Sequence, residues 1–536
     1  MPRLTVLAAA LVLCLGLAEN GHAQSTTLPD MGSSAGELLS PAEQAEYGAY
    51  TLYQLRHYGY VLEDPLIDAW LDGIGHRLAA VSDKPSQSFT FFMMRNRQIN
   101  AFATLGGYVG VNSGLILTAQ TEDEVAGVLA HEISHVTQNH VLRGVERAQK
   151  DQIPLMIAML GAILAAEASR DNNPYNTHSS DAIQAAVMGA AGLAAQRQIN
   201  YTRDNEAEAD RFGIQTLYRA GYDANGMADF FERMDRATRG NSGGEQTPSY
   251  LQTHPLTTSR LSEARERAAR LEKEGPAQAP ANLGTSTSLL LPNDLFLTKS
   301  AASPPPARMF DWARERLRVL SAATPQTAVK EYKALAEAEG PHASDPLRYG
   351  QALAQLQAGF PAVAESGLQT LAKKYPDNLW IGIALADCAH TAGNNSLSRQ
   401  RYEDLLDQHR QDRAISLSFA RVLNEIGNGE AGQRAQAILR PLLSSSADDP
   451  LFQKNFGRAS ELAGDLPRAG EAYAEVAYLN GRAEDALNQL AALLKRGDLG
   501  YAQRTRIEAR IAAITPEVLE MRRQGLKPEN QPSDGS

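Results

Sequence analysis

Residues 129–140 read LAHEISHVTQNH, with three histidines and one glutamate inside ten positions. On an α-helix turning about 100° per residue, His131 and His135 leave one face about 40° and one turn apart, so their imidazoles can grip a single ion. Glu132, beside the first of them, is positioned to take a proton from a water on that ion, the general-base role that peptide hydrolysis needs. His140 sits about 180° around a continuous helix from His131; it is expected to point away and to support the helix. A third histidine delivered through a glycine turn would come six residues after the second, whereas here the gap is five and holds no glycine. The third ligand must come from another part of the chain.

A carboxylate is the natural candidate, and NYTRDNEAEADRFGIQTLYRAGYD (200–223) offers several. Glu206 and Asp210 share a helical face at i, i+4, with Phe212, Ile214 and Leu217 as apolar partners. Glu206 suits the third ligand, and Asp210, one turn on, suits the acceptor that fixes the tautomer of a ligating histidine. Glu208 lies about 200° from Glu206 and is expected in solvent. Two neutral imidazoles and a carboxylate fit one Zn2+ per chain, with a fourth position for water.

The element carrying His131 must be buried and well capped. In TAQTEDEVAGVLA (118–130), Thr121 is the cap, three acids fill the first turn, and Val125, Val128 and Leu129 follow at helical spacing. GGYVGVNSG (106–114) alternates between glycine clusters and reads as a short strand.

The 536 residues divide by texture, and the formal charge of −11 gives no basic footprint, so nucleic acid is not an expected partner. Residues 1–23 read as a cleaved signal peptide, with a short basic start, an apolar run and small residues before Gln24. That places the chain in the periplasm and leaves Cys388 as the one thiol, unable to form an internal disulfide. Residues 36–275 hold seven of the eleven histidines, and 276–306 form a linker rich in Pro, Ser and Thr. Two apolar runs, 154–166 and 182–196, are too short to span a bilayer. They are expected as a buried helical hairpin beside the site, with a lid or a peripheral membrane contact as the alternative. Tyr175 and His178, between the runs, are expected in a loop.

From 307 to 515 the chain repeats. Gly359, Gly393, Gly427, Gly464 and Gly497 recur at intervals of 34, 34, 37 and 33 residues, the period of a tetratricopeptide array. Small residues flank the first four in register: Ala352, Ala386, Ala420 and Gly457 seven before, and Ala364, Ser398, Gly432 and Ala469 five after. Twelve after them come Leu371, Leu405, Leu439 and Val476, an expected buried position. The fifth unit fits less well, with Leu490 at the small site, as a cap would. Residues 516–536 are expected as a flexible tail.

HEISH with downstream EAEAD, together with NAFATLGGYVGVNSGLI from Asn100 and THPLTTSRL from Thr253, resembles the M48 family of zinc metallopeptidases. The resemblance implies a gluzincin domain, mainly α with a small β-sheet, followed by an α-solenoid of tetratricopeptide repeats. It implies that the GGYVGVNSG strand is an edge strand that holds substrate through its backbone. His254 becomes a possible fourth or regulatory ligand, with a capping role away from the metal as its alternative. Arg260 is expected to pair with a site carboxylate. The 71 residues between His135 and Glu206 suggest an insertion around SRDNNPYNTHSSD. The export signal and the array add a likeness to M48 peptidases of Gram-negative bacteria that act on outer-membrane β-barrel proteins, although the cysteine pair of those arrays is missing here. Implied partners are unfolded or misassembled outer-membrane proteins and the β-barrel assembly machinery, with chaperone-like activity through the array. The competing reading is a tetratricopeptide chaperone or scaffold with a latent or structural metal site; an intact Glu132 speaks against it.

Overall fold

The structure, a computed structural model, describes residues 39–147, 178–240, 249–275 and 309–523, without the side chains of 178–198, 237–240, 249, 341 and 520–521. The signal-peptide, linker and 154–166 segments, with Tyr175, lie outside the described residues. The first part of the chain comprises α1 (Pro41–His57), α2 (Pro65–Ala79), β1 (Thr90–Met94), β2 (Ala101–Ala103), β3 (Tyr108–Asn112), α3 (Ser113–Thr118), α4 (Glu122–Thr137), α5 (His178–Arg219), α6 (Gly226–Gly240), α7 (Ser249–Thr253) and α8 (Thr258–Glu274). Run 182–196 falls within α5, and His178 opens that helix rather than a loop.

Helix α4 is the axis of this part. Thr121 accepts from the Glu124 amide at its start, and all three first-turn acids are buried with partners. Glu122 accepts from Trp70 Nε1 at 3.2 Å, Asp123 from the Asp223 amide at 2.8 Å, and Glu124 from Arg233 at 2.7 and 3.0 Å. Val125, Val128, Leu129 and Ile133 enter the core that α2, β1, β3 and α6 also line. Two glycines let neighbouring helices come close. Gly127 meets the Met227 backbone of α6, where a Cβ would lie 2.7 Å from Met227 Cα; Gly213 of α5 lies against the backbone of Ala130 and His131.

The sheet corrects one expectation. Its order is β1-β3-β2, with β1 parallel and β2 antiparallel to β3, so the GGYVGVNSG strand is central rather than at the edge. Gly110 of β3 pairs with Phe92 on one side and Phe102 on the other, and both rings close over it. Among the described residues, the sheet edge beside α4 is β2.

Among the described residues, twelve further α-helices follow: α9 (Phe310–Leu320), α10 (Pro325–Glu339), α11 (Asp345–Gln357), α12 (Pro361–Lys374), α13 (Leu379–Thr391), α14 (Asn395–Gln408), α15 (Arg413–Ile426), α16 (Gly429–Leu439), α17 (Pro450–Leu462), α18 (Leu466–Leu479), α19 (Ala483–Leu494) and α20 (Tyr501–Arg523). Consecutive helices pack side by side. Gly359, Gly393, Gly427 and Gly464 end first helices with φ of 87°, 81°, 77° and 83°, the left-handed conformation that favours glycine. All eight flanking small residues are buried, as are Leu371 and Leu439, while Leu405 and Val476 are half-buried. Helix α20 runs to Arg523 with Val518 buried, so residues 516–523 belong to a packed helix rather than to a flexible tail.

The array is seated on the first part of the chain. Asp64 caps α2 and receives both arms of Arg316 at 2.6 and 2.8 Å. Arg95 donates to the Leu320 carbonyl, and Arg97 to the Arg318 carbonyl, Ser321 Oγ and Glu331, so two arginines cover the C-terminus of α9. Among the described residues, no helix is long and apolar enough to cross a membrane.

Close approach of α4 to α6 can be tested directly. Gly127→Ala raises helix propensity by about 0.5–1 kcal/mol, but its methyl collides with backbone. A net loss of about 1–2 kcal/mol is expected, read as a lower urea midpoint at constant m-value.

Candidate metal centre

Four elements converge on one point. Helix α4 supplies His131, Glu132 and His135; α5 supplies Glu206 and Asp210; His254 follows α7; and Arg260 lies in the first turn of α8. One ligand atom each from His131, His135, Glu206 and His254 lies within 4.8 Å of the others. His131 Nε2 is 3.0 Å from His135 Nε2, 3.4 Å from His254 Nδ1 and 3.4 Å from Glu206 Oε2. Glu206 Oε1 is 3.4 Å from His135 Nε2 and 3.0 Å from His254 Nδ1.

These separations test whether the donors suit an ion. Bonds of about 2.0–2.1 Å in a tetrahedron put ligand atoms about 3.3–3.4 Å apart, close to the spacing found. Two imidazole Nε2 atoms at 3.0 Å would also turn lone pairs on each other unless a proton or a cation sat between them. The donor set fits a metal.

Behind the donors is a layer of charge. Arg260 donates to both oxygens of Asp210 at 2.7 and 2.8 Å, reaches Glu206 Oε2 at 2.8 Å and lies 4.9 Å over the Phe231 ring. Asp210 Oδ1 is 3.0 Å from His131 Nδ1, an ion-pair distance without hydrogen-bond alignment. Burial disfavours a charged His131, but Asp210 and Glu206 outweigh it and push the ring up to about 10. Burial holds His135 down to about 3. Burial would raise Glu206, yet its three imidazole neighbours hold it well below the carboxylate range. Asp210 is likewise raised by burial and lowered further by Arg260 and His131. Glu132 is buried, its Oε1 has no hydrogen-bond partner, and that atom lies 3.6 Å from His254 Nε2.

Two expectations change here. His140 does not point away, because α4 ends at Thr137 and Asn139 turns at φ 55° before helix resumes at 140. The ring returns to within 2.8 Å of His135 Nδ1, outside the four-donor cluster. Glu208 is not free in solvent: it accepts from His140 and Arg143 at 3.1 and 2.8 Å, with its side chain 25% exposed. The sequence reading also left Arg260 without a named partner and missed Tyr250, whose ring stacks on His254 at 4.7 Å. The aromatic four residues before His254 was the available signal.

A helix bearing HExxH, a carboxylate from α5 and a buried arginine behind both define a metallopeptidase. A family model described as peptidase family M48 matches residues 65–268. The beta-barrel assembly-enhancing protease of Escherichia coli (strain K12) is 31% identical over 492 residues, 90% of each chain. The protein of that name from Yersinia pestis is 30% identical over 487 residues, again 90% of each. Mitochondrial metalloendopeptidase OMA1 of Arabidopsis thaliana is 26% identical over 238 residues, 43% of this chain and 42% of its own. The chain belongs to the M48 peptidase family.

The charge layer and the catalytic candidate should separate in stability. Asp210→Asn leaves Arg260 undercompensated in the interior and should cost about 3 kcal/mol. Glu132→Gln removes a charge whose Oε1 has no partner and should cost less than about 1 kcal/mol. Urea unfolding of the two variants beside wild type measures both.

Proposed function

We propose that this chain is a periplasmic zinc endopeptidase in the quality control and assembly of outer-membrane β-barrel proteins. One Zn2+ per chain is held by His131, His135 and Glu206. The observation that carries this reading is the convergence of buried or half-buried donors from His131, His135, Glu206 and His254 within 4.8 Å of one another, with several pairs at 3.0–3.4 Å.

Zinc, when held there, acidifies a water towards a pKa of ~7 and polarises a peptide carbonyl. Glu132 takes the proton from that water and passes it to the leaving amine, a role for which its unpartnered Oε1 is available. Asp210 orients His131, and Arg260 balances the two carboxylates. Substrate lies extended along the β2 edge and is recognised through its backbone. Support for that path is a cleft that joins Ala103, Thr104 and Leu105 to His135 and Leu142. His254, which meets Glu206 at 3.0 Å and Glu132 at 3.6 Å, would hold the metal as a further donor or regulate access to it.

Helices α9 to α20 form a tetratricopeptide array that binds unfolded or misassembled outer-membrane proteins or their assembly machinery and gives the chain chaperone-like activity. The glycine period and the names of the relatives support this, and the leader sequence supports the periplasm. The second reading, a scaffold or chaperone with a latent metal site, draws on His254 in the fourth position.

Purified protein should contain one equivalent of zinc and digest casein, with activity lost to a chelator and restored by zinc. Glu132→Gln should keep the zinc and lose about 10²–10⁴-fold in rate; a variant with normal turnover would sink the mechanism. His254→Ala should raise basal cleavage. If neither its activity nor its zinc binding changes, His254 is outside the machinery.

A further inference from the structure

The two histidines of HEISH have different backing. His131 turns Nε2 to the donor cluster and Nδ1 to Asp210, which Arg260 holds. His135 also turns Nε2 inward, but its Nδ1 faces His140 Nδ1 at 2.8 Å. His140 Nε2 in turn lies 3.1 Å from Glu208 Oε2, and the same oxygen accepts from Arg143 Nη1 at 2.8 Å. Both rows run from imidazole to carboxylate to arginine, and the second is longer by one imidazole.

Only one arrangement of protons serves the second row when His135 gives its Nε2 lone pair to an ion. The His135 proton then sits on Nδ1 and is donated to His140 Nδ1. His140, an acceptor there, must carry its own proton on Nε2 and donate it to Glu208, which Arg143 keeps anionic. We infer that His140, Glu208 and Arg143 are positioning residues that fix the tautomer and ring plane of His135, a backing relay beside the ion-pair contact of His131 with Asp210. The inference rests on the reading of His135 as a metal ligand.

The local fold is built around this row. A helix continued past Thr137 would carry His140 away; instead Asn139 takes the left-handed conformation that Asn tolerates, at φ 55°, and the ring swings back. His140 is buried, and the Tyr201 hydroxyl reaches its carbonyl at 3.4 Å. Arg143 lies one turn further along the same helix, so His140 and Arg143 meet one carboxylate from one face. A histidine that merely filled space would need none of these partners in line.

The test uses the full chain and zinc itself, with affinity read by competition against a chelator and coordination by the visible spectrum of the cobalt(II) form. His140→Leu should weaken zinc binding about 10–100-fold and shift the cobalt bands. His140→Gln, whose amide can accept from His135 and donate to Glu208, should recover most of both. Glu208→Ala should weaken binding in the same direction. If His140→Leu does not fold, Glu208→Ala decides, since that side chain is partly exposed. Wild-type zinc affinity and spectrum in folded His140→Leu, or in Glu208→Ala, would overturn the relay alone. A wild-type protein that takes up no zinc would overturn the metal reading, and the relay with it.

Discussion

Buried negative charge is the constraint around which this site closes. Glu206 and Asp210 are 3% and 5% exposed, and a carboxylate withdrawn from water without a partner costs several kcal/mol. Arg260 meets both, so α8 must pack where its first turn faces α5, and α5 must lie against α4 for His131 to share the load. Gly127 and Gly213 matter for this reason: a side chain at either would hold α4 away from its neighbours. The start of α4 obeys the same rule, with Glu122, Asp123 and Glu124 each bonded across to another element as well as lying at the positive end of the helix. A helix that carries buried acids at its start and the His131–His135 pair in its second half can occupy only one place.

What could be read from sequence was whatever depended on local periodicity. The spacings of His131 with His135 and of Glu206 with Asp210 hold because each pair lies within one unbroken helix. His140 and Glu208 were misjudged for the converse reason. The break at Gln138 and Asn139 involves neither glycine nor proline, so nothing in the residue types announced that the angular count should stop. Strand alternation in GGYVGVNSG was legible, but alternation describes the two faces of a strand and not the number of its neighbours; the central place of β3 is set by Phe92 and Phe102 closing on Gly110. In the array, the small residues announced close helix contacts because only small side chains fit there. The twelfth position after each glycine carried less information, and Leu405 and Val476 are only half-buried.

One of the links between the array and the candidate metal centre runs through a short connection. Residues 95–100 join β1 to β2; at the near end Arg95 and Arg97 cover the C-terminus of α9, and at the far end the Ile99 carbonyl accepts from the Tyr250 amide at 3.2 Å. Tyr250 stacks on His254, so the backbone that seats the array also holds the helix preceding the fourth donor. Asn112 and Ser113 tie the middle of the connection down through their side chains, which makes it a strut rather than a loose loop.

His254 and Arg260 both reach Glu206 but differ in what else they hold. His254 lies 3.0 and 3.2 Å from the two oxygens of that carboxylate, which Arg260 also reaches. Arg260 in addition meets both oxygens of Asp210, so its departure would strip Asp210 and Glu206 together. His131 and His135 are fixed by a long, capped helix, whereas His254 follows a helix of five residues. The donor that follows the shortest of these helices is thus also the one 3.6 Å from Glu132.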